Sequence, residues 1–364
     1  MLAAMGRSVK ISVWVALAVV ACTKPATPLP APSPAELAGL GQPRAGLAPA
    51  QLQAFARGKQ QFQRAYTPAE GLGPHYNQTA CSNCHDQPNL GGGSDMSHKV
   101  LVIFDPPTFD GTVGQITLPG FAPPAPSAKA IKVFNRPPPL YGLGLFETIP
   151  EAELRASCDP TDKDGDGVTG HLNRQGEPTV GRFGFRGHAQ TLQKFVGNAL
   201  QGEMGIANMG TDCSVTQVDG DKVPDPEVPY SVVEDLVAYV GGLAPPPRDG
   251  DHPAGRKVFD ALGCGSCHRP ETAKGVPAFT DLCLHHMGPQ FDTKAKDIEA
   301  QGDEFRSAPL WGLRFRKAYF HDDRASELGQ AIEMHGGEAE RAAGKYRALS
   351  VQDKSDLLRF LRTL

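Results

Sequence analysis

The sequence predicts a mainly α-helical chain built from two similar units, the first enlarged by long loops. Three observations carry this reading. The pattern C-x-x-C-H occurs twice, at Cys81-Ser-Asn-Cys84-His85 and at Cys264-Gly-Ser-Cys267-His268. Each copy follows a stretch of helical apolar periodicity, LQAFARGKQQFQRAY at 52–66 before the first and GRKVFDALG at 255–263 before the second. Each unit also closes on a second amphipathic stretch that opens with Ser-x-x-acid: Ser231 to Glu234 leading into Asp235–Leu243, and Ser350 to Asp353 leading into Asp356–Leu364. A serine followed three residues later by an acid is a capping-box signature, so both closing helices are expected to start at that serine.

The repeated pattern has a specific chemistry. Two residues between the cysteines let both thiols reach the two vinyl groups of one porphyrin, and the adjacent imidazole then falls beneath the iron. With eight Cys and eleven His in 364 residues, one such pattern arises by chance in roughly one chain in two hundred, so two together are not accidental. A zinc ribbon built from the two C-x-x-C pairs is the rival, but it gives no reason for a histidine directly after each pair. The sequence therefore predicts two covalently bound c-type haems, with His85 and His268 as proximal ligands. A helix before the motif and another packing back on it is the outline of a cytochrome c.

Domains follow from the repeat. Residues 1–21 read as a lipoprotein signal peptide: Arg7 and Lys10 precede an uncharged run from Ile11 to Ala21, too short to span a membrane. Cys22 after Val-Val-Ala is the lipidation site, giving an exported lipoprotein anchored to a membrane and facing the periplasm. Residues 22–50 are a Pro- and Ala-rich tether with little to bury. The first haem unit is expected at 51–245 and the second at 246–364, divided in the linker APPPRDGDHPAG (244–255). The extra length of the first lies roughly between Met96 and Asp221. A net charge of −4 without a basic block excludes nucleic acid as a partner.

One cysteine is lipidated and four hold haem, which leaves Cys158, Cys213 and Cys283. In an oxidising compartment Cys158 is expected to pair with Cys213, since both sit in Asp-rich loops, leaving Cys283 free. The segment DKDGDGVTGHLN offers Asp162, Asp164 and Asp166 in the first half of a calcium loop. Its twelfth position is Asn173, which cannot chelate like glutamate, so Ca2+ and a solvated acidic turn are equal readings.

An ordered set of further segments resembles a known family. GLGLFETIP (142–150), DKDGDGVTG, GRFGF, GEMGIAN, FTDLCLHHMG, PLWGL, YFHDDRA and AIEMHGGEA are similar, in that order, to the di-haem oxidoreductases, distant relatives of bacterial di-haem cytochrome c peroxidases and of the di-haem enzymes that mature tryptophylquinone. The chain departs from the family at His286, where aspartate is usual, at Asp323 in place of glycine, at Phe185 in place of tryptophan and at Cys283 in place of leucine. The resemblance implies a peroxidase-like oxidoreductase. Peroxide reduction takes two electrons, so one haem would react with the oxidant while the other is closed and wired to a donor, such as a small cytochrome or a quinol-linked protein.

The resemblance also assigns roles. Glu203 in GEMGIAN becomes the general acid/base, and Gln193 a residue that positions peroxide. The sixth ligand of the second haem falls on His335, with Met334 and Met287 as rivals. His98, His171 and His188 are alternative caps for the first haem. Two other function classes stay open: a non-catalytic di-haem electron-transfer lipoprotein, and an oxidoreductase acting on a thiol or protein substrate, hinted at by a free Cys283.

Overall fold

The computed structural model describes residues 31–94, 98–105, 109–209, 220–272, 275–297 and 299–364. The helices are α1 (Pro34–Gly39), α2 (Pro49–Gln63), α3 (Gly144–Glu147), α4 (Glu151–Ser157), α5 (Leu192–Met204), α6 (Tyr230–Gly242), α7 (Pro253–Leu262), α8 (Leu328–Glu333), α9 (Glu340–Arg347) and α10 (Val351–Thr363). Short strands join them: β1 (His75–Tyr76), β2 (Val100–Asp105), β3 (Phe109–Val113), β4 (Ile116–Thr117), β5 (Ile131–Asn135), β6 (Leu284–His286) and β7 (Glu304–Arg306).

The repeat is visible where the paired helices cross. A Cβ on Gly58 of α2 would lie 1.8 Å from the Asp235 carbonyl oxygen and 2.8 Å from the Tyr239 Cβ of α6. One on Gly255 of α7 would lie 2.0 Å from the Asp356 carbonyl and 2.6 Å from the Phe360 Cβ of α10. Both crossings bring backbones too close for any side chain. One turn further along, the Phe62 ring packs 4.9 Å from Tyr239 and the Phe259 ring 5.5 Å from Phe360. Gly58, Phe62, Asp235 and Tyr239 thus repeat as Gly255, Phe259, Asp356 and Phe360. Full burial of a ring such as Phe360 is worth about 1.5–3 kcal/mol, which fixes each helix pair beside its C-x-x-C-H turn.

Buried apolar residues gather in two clusters. One runs from Leu40 through Phe62, Phe146, Leu192 and Tyr239 to Leu282 and Trp311; the other holds Phe259, Phe279, Leu357 and Phe360. Trp311 belongs to the first, stacked on Phe146 at 5.3 Å.

Four expectations are corrected. The enlargement of the first unit is more than loops: β3, β2 and β5 form an antiparallel three-stranded sheet, with Ile103 opposite Gly111 on one side and Lys132 on the other. The stretch read as tether is docked from Leu37 onward. Leu40 is buried, the Asn89 amide donates to the carbonyls of Leu37 and Leu40, and Pro43 bridges Leu243. Ser350 caps α10 as expected, accepting from the Asp353 N–H, but α6 starts earlier: Pro229 is its N-cap, and Ser231 lies inside the first turn. Finally, Cys158 is bonded to Cys283 across 125 residues. Cys283 is therefore not free, and Cys213 lies outside the described residues.

Candidate haem sites and Glu203

Both C-x-x-C-H motifs form the same object. A single 3-10 turn, Cys81–Asn83 or Cys264–Ser266, opens each motif, with the second cysteine as its C-cap and the histidine next. Gly263 ends α7 at φ 83°, the left-handed conformation that lets the chain turn straight into the motif. The four motif cysteines stand outside the disulfide. His85 Nδ1 lies 3.0 Å from the Gly92 carbonyl and His268 Nδ1 3.1 Å from the Phe279 carbonyl. A carbonyl only accepts, so Nδ1–H donates in both rings and Nε2 keeps its lone pair, the orientation an iron ligand requires. Burial pushes His85 down, and it pushes His268 down to about 4, so both rings are neutral. The thiols, the fixed tautomers and the aromatic walls, Phe62 at 6.2 Å from His85 among them, fit a haem at each motif.

His335 follows α8, and its Nδ1 donates 2.7 Å back to the Ala331 carbonyl, again leaving Nε2 as the lone pair. Burial lowers its pKa, and a charge on it would in turn lower that of His268. The structure thus places His335 within electrostatic reach of His268. Met334, one residue earlier, packs against the second apolar cluster. Met287 is half-buried, its N–H bonded to the Asp303 carbonyl.

Glu203 sits in the last turn of α5. Gly205, at φ 68°, stops that helix, and the Gly73 and Asn77 N–H groups donate to the carbonyls of Met204 and Glu203. The helix end is thereby stitched to the strand segment that leads into Cys81. Burial raises the Glu203 carboxyl to about 7, against the opposing effect of the Asn77 amide, which donates to Oε2 at 2.8 Å. The orientation of that amide is fixed by the Gln115 backbone N–H, an unambiguous donor 3.0 Å from Asn77 Oδ1. Glu203 also lies close enough to Cys81 for its charge to add to the burial that pushes that thiol up to about 12.

The structure does not gather the other candidates there. Gln193 is ten residues from Glu203 on α5, about 15 Å along the axis, and its amide donates to the Tyr230 hydroxyl at 2.7 Å. His171 donates Nε2–H to the Glu299 carbonyl at 3.1 Å, and its Nδ1 lies 3.5 Å from Glu304. His188 packs 6.3 Å from Phe195, and desolvation lowers the pKa of its ring. The His98 carbonyl accepts from Ser94.

Ligand oxygens of Asp162, Asp164 and Asp166 lie within 4.8 Å of one another. Asp162 accepts from the Gly167 N–H and Asp166 from Val168, so the loop folds on its own hydrogen bonds. Asn173 at the twelfth position is turned away, its amide donating to the Arg186 carbonyl. A second link was invisible in the sequence: Ser266, inside the second C-x-x-C-H, donates to Asp166 at 2.7 Å. Asp323, where the family has glycine, adopts φ 64° and is buried 3.4 Å from Arg136.

A family model described as "Di-haem oxidoreductase, putative peroxidase" matches residues 131–364. The chain belongs to the di-haem oxidoreductase family. No curated protein matches the sequence. Among solved structures, this di-haem oxidoreductase is similar to the diheme peroxidase BthA from Burkholderia thailandensis E264, at 16% identity over 89% of this chain and 87% of that one with a TM-score of 0.45. It is similar to a MauG-like protein associated with microbial copper homeostasis, at 15% identity over 88% and 92% with a TM-score of 0.43. It is also similar to Kuenenia stuttgartiensis hydrazine synthase, at 15% identity over 99% and 100% with a TM-score of 0.46. These likenesses are too distant to carry an argument, and the assignment rests on the family match. Among the described residues no helix is long and apolar enough to cross a membrane.

Proposed function

We propose that this di-haem oxidoreductase is peroxidase-like, with two covalently attached c-type haems, one reacting with peroxide and the other passing electrons. Cys81, Cys84 and His85 hold the first haem in a unit spanning 51–245; Cys264, Cys267 and His268 hold the second in a unit spanning 246–364. When bound, each haem supplies an iron centre that exchanges one electron at a time.

The observation that carries the reading is Glu203: a carboxyl raised to about 7, held by Asn77 beside the first attachment motif. A group titrating there can take a proton from one peroxide oxygen and return it to the leaving one as water departs, and two electrons from the donor with two protons from solvent complete the reduction to two waters. His335 closes the second haem, so that unit exchanges electrons and does not bind oxidant. The donor is a small cytochrome or a quinol-linked protein, met on the periplasmic side of a membrane to which Cys22 tethers the chain. Cys283 offers no thiol, being bonded to Cys158, which removes the motive for a thiol-oxidising role.

The test is peroxide consumption with a reduced cytochrome or dye as donor. Steady turnover is expected, falling by roughly two to four powers of ten in Glu203→Gln with unchanged haem spectra. Absence of turnover in the wild type would leave the electron-carrier reading standing instead.

A further inference from the structure

His285 lies on β6, buried, with carboxylates at both ends of its ring. Nε2 is 3.0 Å from Asp281 Oδ2, and Nδ1 is 3.0 Å from Glu338 Oε2 and 2.7 Å from the Thr169 carbonyl. Ionised carboxylates and carbonyls only accept, so both ring nitrogens must carry hydrogen and the ring is an imidazolium. Burial works against that charge, but the hydrogen bonds to Asp281 and Glu338 favour it and raise the pKa above the ordinary histidine range.

The two carboxylates reach His285 from different segments of the chain. Asp281 is part of the attachment floor: its N–H donates to the Cys267 carbonyl at 3.0 Å, and its Oδ1 accepts from Ser307 at 2.5 Å and from the Cys283 N–H at 2.9 Å. Glu338 is three residues past His335, with Oε1 accepting from Thr169 at 2.6 Å. The turn between them is pressed onto β6. Gly337 has φ 55°, and a Cβ there would lie 2.2 Å from the His286 carbonyl. Asp281, His285 and Glu338 therefore form one ionic chain from the segment that carries the attachment cysteines to the segment that carries His335.

We propose that His285 is a positioning residue for the second haem: a cation clamped between Asp281 and Glu338 that holds the His335 segment in place and keeps His335 as sixth ligand. This rests on the reading of His335 as that ligand. A buried ion pair that loses one partner is strongly destabilised, because the remaining charges are left uncompensated. Neutralising His285 leaves two buried carboxylates facing each other, which drives the Glu338 turn off β6 and draws His335 with it.

The experiment uses the haem-loaded chain and four variants: His285→Gln, His285→Lys, Glu338→Gln and His335→Ala. The readouts are the spin state and midpoint potential of each haem and carbon monoxide affinity at the second. His285→Gln should open that haem, raising the affinity by roughly tenfold or more. His285→Lys, which keeps a cation, should restore part of the low-spin signal. Should His285→Gln fail to fold, Glu338→Gln cuts the same chain at its half-buried end and should open the haem in the same sense. A low-spin, carbon monoxide-resistant second haem in His285→Gln, or in Glu338→Gln where only that variant folds, overturns the proposal, provided His335→Ala opens it. If His335→Ala itself stays low-spin, the ligand reading falls, and the clamp falls with it.

Discussion

Replacing Asn77 with alanine tests the Glu203–Asn77 pair more finely than removing Glu203 itself. The Asn77 amide donates to Glu203 Oε2 at 2.8 Å and favours the ionised carboxylate, while burial favours the neutral acid and sets the pKa at about 7. A hydrogen bond to a charged group contributes about 1.5–3 kcal/mol, and 1.36 kcal/mol corresponds to one pH unit. Losing it therefore moves the pKa up by about one to two units, toward 8 or 9. If peroxide proton transfer uses the ionised form, kcat/KM for peroxide in the wild type rises with pH through about 7. In Asn77→Ala the same rise is expected about one to two pH units later, with the alkaline plateau largely recovered because Glu203 remains. The assay is initial-rate peroxide consumption from pH 5.5 to 9.5 with a dye donor whose potential does not vary with pH. An inflection that stays near 7, or moves to lower pH, refutes the reasoning.

Gly255→Ala places a methyl 2.0 Å from the Asp356 carbonyl and must separate α7 from α10, at a cost of about 1–3 kcal/mol; the melting temperature is expected to fall by roughly 2–12 °C. Gly39→Ala, with open space around it, should show no such drop. Met287→Ala should leave the second haem low-spin; a high-spin conversion there, with none in His335→Ala, transfers the ligand role to Met287. Cys22→Ser should move the protein from the membrane to the soluble fraction, and unchanged membrane association removes the lipid anchor.

What could be read in the sequence was local. The C-x-x-C-H spacing places thiols and imidazole within one turn, and the helices beside it announce themselves by period; Gly58 and Gly255 hold the same place in both. The family motifs pointed to Glu203 and His335 in the same way, because each sits in a short run with its neighbours. What the sequence hid depends on chain brought together from far away. Asn77 meets Glu203 only because α5 ends at Gly205 against the segment before Cys81. Cys283 looked isolated because its partner is 125 residues away, and Cys213 looked closer to Cys158 in composition as well as in number. The sheet β3-β2-β5 was missed because its strands are short and interrupted by Pro- and Gly-rich turns that read as loop. Leu40 lies in a Pro/Ala-rich stretch whose composition gives no sign that it docks. The clamp on His285 draws on three separate segments, and no spacing rule connects Asp281 to Glu338.

The central claim is that two unlike haems share this chain, one open to oxidant and one closed by His335. Electron paramagnetic resonance of the fully ferric, haem-loaded protein tests it directly. The expected spectrum has one high-spin and one low-spin ferric haem in equal amounts, with the low-spin signal lost in His335→Ala. Two low-spin signals, or the signal of a single haem per chain, would contradict the account.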